Sequence, residues 1–253
     1  MTHKLAGILI LLLLLTSCAE EKDKKDLPLR FEKESIVKKT GQNCDTAEYD
    51  CTIISLEVVK AKGAEVSGKI NKSLEKHVIQ LISPEEEPEA TSLEQLSENF
   101  ISDFKDAAES FSEEPPWEAY LNESVYLKSE DVISIGITTE IFSGGAHGYK
   151  TLTFLNFDPE TGKIYSAEDL FTPEFSRFVE EKFRNKFDIP SEENINSTGF
   201  WFENDIFHLP ENIGFEEDKL ILVYNSYEIA SYAAGDIYME IPMEEVKPFL
   251  KIE

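Results

Sequence analysis

Three cysteines and four histidines are all that 253 residues offer of the side chains that most often ligate metals or act as nucleophiles and bases. No CxxC pair, no HExxH and no GxSxG is present. The common zinc, redox and α/β-hydrolase signatures are therefore excluded, and no cofactor is implied. Basic residues are scarce too: 24 Lys and Arg stand against 50 Asp and Glu, a formal net charge of −26. Such a surface repels nucleic acid, anionic headgroups and acidic polymers, and attracts cationic partners. Solubility alone is the plainer explanation of that charge. Among 50 acidic residues carboxylate pairs are too plentiful to point to a site. There is no internal repeat.

One long apolar run exists, Leu5 to Leu15, behind the basic residue Lys4. It is too short to span a bilayer comfortably and has the layout of a secretory signal. "LTSC" at its end resembles the lipobox of bacterial lipoproteins, which implies cleavage after residue 17 and lipidation of Cys18. The expectation is a signal peptide at 1–17, then a lipid anchor and flexible tether at 18–43. "AEEKDKKD" opens that tether without a core-forming residue. An acidic stretch behind the cysteine also resembles surface-export signals of Bacteroidetes lipoproteins. The address implied is the cell envelope, anchored in the outer membrane and facing the periplasm or the outside.

With Cys18 assigned to the anchor, Cys44 and Cys51 remain, in "CDTAEYDC". An exported compartment is oxidising, so a local disulfide is expected. Closing so short a loop contributes about 2–3 kcal/mol on the chain-entropy model. A metal site would need further ligands, and no nearby histidine supplies them.

Hydrophobic content of 41%, with 17 Phe and 9 Tyr, is ample for a packed core. An apolar strand begins at Leu56. Val66, Ile70, Leu74, Val78 and Leu81 then recur at helical spacing. "SPEEEPEA" breaks that helix, and a second opens at Ser92, where Ser92 and Gln95 form a capping-box pattern. Its expected buried stripe is Leu93, Leu96, Phe100, Phe104, Ala107 and Phe111. The period then shortens: "WEAYLNESVYLK" and "DVISIGITTEIF" read as strands around an "SED" turn, and "GYKTLTFLNF" as a third. Phe175, Phe178, Val179, Phe183 and Phe187 share one face of a later helix. "DKLILVYN" and "DIYMEI" are further strands, before a short terminal helix. The fold class is α+β: antiparallel sheets with packed helices, in two small intertwined subdomains.

"FSGGAHGY", residues 142–149, is the most distinctive stretch. It joins two strands and carries no adjacent lysine, whereas phosphate-cradling glycine loops lead into a helix. Gly144, Gly145 and Gly148 permit a sharp reversal at positive φ, as does Gly162 in a later turn, and Gly235 marks a further strand-to-strand bend. His147 caps the turn on the plain reading; lining a ligand groove or ligating a metal are the alternatives. "SYEIASYAAGDIYMEI" places Tyr227 and Tyr232 about a bend that could stack on a sugar or a protein, or form a core edge. His147, Tyr149, Tyr227 and Tyr232 are the candidate binding residues, and no catalytic residue is assigned.

"FSGGAHGYKTLTFLNFDPETGKIYSAEDLF" and "VYNSYEIASYAAGDIYMEIPMEEVKPFL" resemble the two blocks of a domain of unknown function in exported bacterial proteins. Residues 44–140 resemble the domain found upstream of it, which is also similar to the N-terminal part of some peptidoglycan deacetylases. The division implied is 44–140 and 141–253. The pair resembles the extracytoplasmic region of lysozyme-sensing anti-sigma factors. It implies a monomeric, non-catalytic envelope protein that binds a wall-associated ligand, such as a peptidoglycan-related glycan, or a cationic protein such as lysozyme. A glycan-modifying enzyme using His147 and nearby carboxylates is the alternative. The chain departs from these relatives in having no "TFDDG"-like metal motif, and in placing Gly148 where proline usually follows the loop histidine.

Overall fold

The computed structural model describes residues 27–41, 44, 51–85, 88–111 and 113–252. The signal segment and Cys18 lie outside the described residues. Among those described, no helix is long and apolar enough to cross a membrane.

The first elements among the described residues are two long antiparallel strands, β1 (Arg30–Gly41) and β2 (Cys51–Lys62), paired from Arg30↔Lys62 to Gly41↔Cys51. This corrects the expected tether: residues 30–41 are an edge strand. Its six charged side chains, Arg30, Glu32, Lys33, Glu34, Lys38 and Lys39, keep the sheet edge soluble. The Cys44–Cys51 disulfide closes the connection, with Cα atoms 5.3 Å apart.

Two helices follow, α1 (Ser67–Ile82) and α2 (Leu93–Ser110). They form the crossover that lets β3 (Glu118–Lys128) pair parallel with β2, between Ile53↔Glu118 and Glu57↔Asn122. A parallel neighbour needs such a crossover, and this one pair departs from the expected antiparallel pattern. The Ser92 hydroxyl accepts the Gln95 amide at 3.2 Å, but the Gln95 side chain turns to the Thr91 amide at 3.0 Å. Half of the expected capping box is thus formed. The predicted stripe of α2 is buried at Leu96 and Phe100 and fades towards Phe111, which is 66% exposed.

Strands β4 (Ile133–Phe142) and β5 (Tyr149–Phe157) complete a sheet of order β1-β2-β3-β4-β5. The "SED" turn is present, the Ser129 amide donating to the Val132 carbonyl at 3.0 Å. Because β5 completes this sheet, the first unit runs through Phe157 and not to residue 140.

The second unit sets α3 (Ala167–Leu170) and α4 (Glu174–Lys186) with a sheet of β6 (Asn212–Phe215), β7 (Lys219–Tyr224) and β8 (Ile237–Pro242). α5 (Met243–Val246) ends it. Phe175, Val179 and Phe183 are fully buried, as the helical spacing predicts; Phe175 stacks on Phe171, and Phe183 meets Phe202 and Tyr224 edge-on in one aromatic core.

The two sheets are joined by side chains that reach backbone. Asn225 accepts the Leu152 amide at 2.8 Å and donates to its carbonyl at 3.2 Å, so β5 is not left as an open edge. Asn156 donates to the Ile213 carbonyl at 2.7 Å, and Ser134 accepts the Phe215 amide at 3.0 Å. Phe154 fills the space between, against Ile221, Val223 and Tyr126. A Cβ on Gly214 would stand 2.2 Å from its ring, so only glycine fits there.

Candidate functional site: an aromatic face at the glycine loop

The β4–β5 connection reverses through Gly144 and Gly145, at φ 86° and 84°. Gly235, in its bend, sits at 70°, and Gly162 also takes the expected positive φ, at 67°. Gly148 does not, which corrects its assigned role. It is needed for close approach: a Cβ there would lie 3.0 Å from the Ile141 carbonyl oxygen. On its other flank the loop leans on the Glu114–Trp117 pair, where the indole N–H donates to the carboxylate at 2.6 Å. A Cβ on Gly144 would stand 2.7 Å from that carboxylate.

The His147 imidazole is held from two directions. Its Nδ1 lies 2.9 Å from the Gly148 carbonyl, to which only a protonated Nδ1 can donate. Its face stacks on Tyr232, with centroids 4.2 Å apart and planes 23° apart. The Tyr232 hydroxyl donates to the same carbonyl at 3.3 Å, and Tyr227 continues the tier at 5.7 Å. Among the described residues no carboxylate is hydrogen-bonded to this imidazole.

Tyr227 is 51% exposed, yet its backbone sits at φ 73°, a conformation that costs a bulky residue about 1–2 kcal/mol. The surrounding loop imposes it. The Tyr227 amide donates to the Ala230 carbonyl at 3.1 Å, and Asp236 accepts from both the Ser226 amide and hydroxyl at 2.8 Å. The Glu228 carboxylate accepts the Asn225 amide, and Trp201 donates to the carbonyls of Ile229 and Glu228. An exposed ring is thus fixed by a strained, fully bonded turn.

Tyr149 borders the same face, and burial, then the charges of Glu228 and Asp236, push its phenol up, so it remains a hydrogen-bond donor. Tyr238 is raised in the same way, by burial and then Asp236. Burial also raises Glu228. Between the tier and β3 lies an open groove of about 440 Å³, lined by Tyr120, Tyr149, Tyr232, Glu118 and the ion-paired Glu140 and Lys150. All four candidate residues meet at this face.

His77 and His208 lie elsewhere. His77 faces Thr153 at 3.2 Å with its basicity lowered by burial, and His208 contacts the Leu209 carbonyl. Among the described residues no group of His, Cys, Asp and Glu is placed to hold a metal. Trp117 was not legible as a site residue; its only sequence signal is its position after "EEPP", beside a helix end.

Residues 42–150 match the family model described as deacetylase PdaC, and residues 168–244 match that of a protein of unknown function, DUF3298. The glycine loop therefore falls in the first match, and Tyr227 and Tyr232 in the second. The candidate face is built from both. A crystal structure of a DUF3298 family member from Bacteroides fragilis shares the fold, with a TM-score of 0.66 at 20% identity, over 90% of this chain and 95% of that one. One from Pseudomonas aeruginosa gives 0.63 at 19% identity, over 90% and 97%. No curated protein sequence matches the chain.

Proposed function

We propose that this chain, a PdaC-like region joined to a DUF3298 region, is a non-catalytic binding protein of the cell envelope. Its ligand is a wall-associated glycan laid on the tyrosine face. The observation that carries this is the His147–Tyr232–Tyr227 tier, exposed and rigidly fixed beside an open groove. Sugar rings offer apolar C–H faces to aromatic rings and hydroxyl groups to the polar edges around them. Tyr149 supplies a donor, and Glu118, Glu140 and Lys150 supply charge-assisted partners. The imidazole serves as part of that face, with one nitrogen and one ring face already occupied.

The net charge of −26 favours a second reading, a basic wall-active protein such as lysozyme as the partner. The anchor supporting either reading is a lipid on Cys18. Changing Cys18 to Ala should release the protein from the membrane fraction.

A pull-down on purified peptidoglycan tests the first reading. Retention that survives high salt and is lost in Tyr232→Ala supports it; no retention sinks it. Saturable binding of lysozyme, but not of an unrelated basic protein, would establish the second instead.

A further inference from the structure

Across the glycine loop from the tyrosine groove lies a second recess, of about 420 Å³. Trp117, Phe100 and Ile141 form its apolar side, and Glu85, Glu89 and Asp103 stand on it as carboxylates. Among the described residues no lysine or arginine lines it. The two depressions adjoin: Ile141 lines both, Ser143 belongs to the recess, and Phe142 and Gly148 belong to the groove. The loop wall between them is the stretch that the glycines keep thin.

We infer that this recess is a subsite of the same surface, taking a sugar unit that bears a free amine. The inference rests on the glycan reading above and adds which sugar chemistry is selected. The indole is half-buried, braced edge-on by Phe100 and Phe104 at 5.9 Å, with its N–H already bonded to Glu114. What it has left to offer is ring surface. A sugar ring stacked there brings its substituents to the three carboxylates. An ammonium donates charge-assisted hydrogen bonds to them, whereas an N-acetyl group is uncharged and keeps only one neutral N–H donor beside a bulky carbonyl.

Charge balance separates the two depressions. In the tyrosine groove Glu140 is already paired with Lys150. In the recess the Asp103 carboxyl is pushed up first by burial and further by Asp106, Glu85 and Glu89, and no cation of the described lining offsets them. An ammonium supplies that cation.

The test compares short glucosamine oligomers with their N-acetylated counterparts by calorimetry on the purified protein, at mildly acidic pH where the amine is protonated. The parent should bind the free-amine oligomer more tightly by about tenfold, the size of one charge-assisted hydrogen bond. Glu85→Gln, Glu89→Gln and Asp103→Asn together are exposed, near-isosteric changes that leave the fold intact. They should reduce the amine oligomer to the affinity of the acetylated one, while Tyr232→Ala weakens both. Equal affinity for both oligomers in the parent, or a preference that survives the triple change, overturns this inference and leaves the glycan reading standing. Binding of neither oligomer overturns both. Displacement of the amine oligomer by a short lysine peptide whose own binding ignores Tyr232→Ala would also overturn it, because the recess would then read a protein cation.

Discussion

The imidazole of His147 and the phenol ring of Tyr232 stack at 4.2 Å, although one sits in the β4–β5 loop and the other in the β7–β8 connection. The contact ties the two sheets together at the surface, and both residues bond the Gly148 carbonyl. Tyr232 is 42% exposed, so this is a surface clasp and not a core contact. Tyr232→Ala should therefore cost about 0.5–1.5 kcal/mol, the range for one aromatic pair. Urea unfolding measures this. A loss of several kcal/mol would place Tyr232 in the structural core instead of on a binding face.

Glu123 is fully buried on β3, where its carboxylate accepts the Val59 amide at 2.7 Å just past the last β2–β3 pair. It stands in for a strand that has diverged. Its other oxygen has no hydrogen-bond partner, and burial pushes its pKa up to about 7, against the opposing pull of the Val59 amide, Lys33 and Lys60. A carboxyl raised in the folded state contributes stability that is full below its unfolded value of 4.5 and is lost as pH rises through about 7. Glu123→Gln should flatten this slope. Relative to the parent, the variant should gain on the order of 3 kcal/mol across that window. Urea midpoints measured against pH report it, and parallel curves would contradict it.

Gly214→Ala should destabilise by about 1–3 kcal/mol, through overpacking against the Phe154 ring. Phe154→Leu alone should also destabilise. Combined, the two should lose less than the sum, because the smaller side chain vacates the space that the new methyl needs. Simple additivity would show that Phe154 is not the obstacle.

The native protein should yield no alkylated thiol at Cys44 or Cys51, and reduction should add two hydrogens to the mass. Reduction should also lower stability by about 2–3 kcal/mol. Free thiols in the native protein would refute the bridge.

Helix α4 was legible because its phenylalanines recur on one face, and the β3–β4 hairpin because β-branched residues flank a polar turn. The positive φ of Gly144, Gly145 and Gly162 followed from their turns. Strand β1 was not legible. An edge strand pairs on one side only, and this one is so charged that its composition reads as solvated tether. β6 is only four residues long and buried throughout, which leaves no alternation to detect. Gly148 misled because proximity to two positive-φ glycines suggested the same role, whereas its constraint is a carbonyl across the loop. The tyrosine face was half legible. Its residues were identified from composition, but their meeting depends on the Asn225 and Phe154 junction between sheets, a long-range contact no local pattern encodes. Trp117 joins them only because the β2–β3 crossover returns beside the glycine loop.

The central claim is that the His147–Tyr232–Tyr227 tier is a ligand-binding face. Backbone amide shifts of the isotope-labelled protein, followed by NMR as soluble peptidoglycan glycan fragments are added, test it most directly. The account predicts saturable shifts centred on 144–149 and 227–236, absent in Tyr232→Ala while that variant's remaining spectrum stays folded. Saturable shifts centred elsewhere, or an unchanged response in Tyr232→Ala, would contradict it.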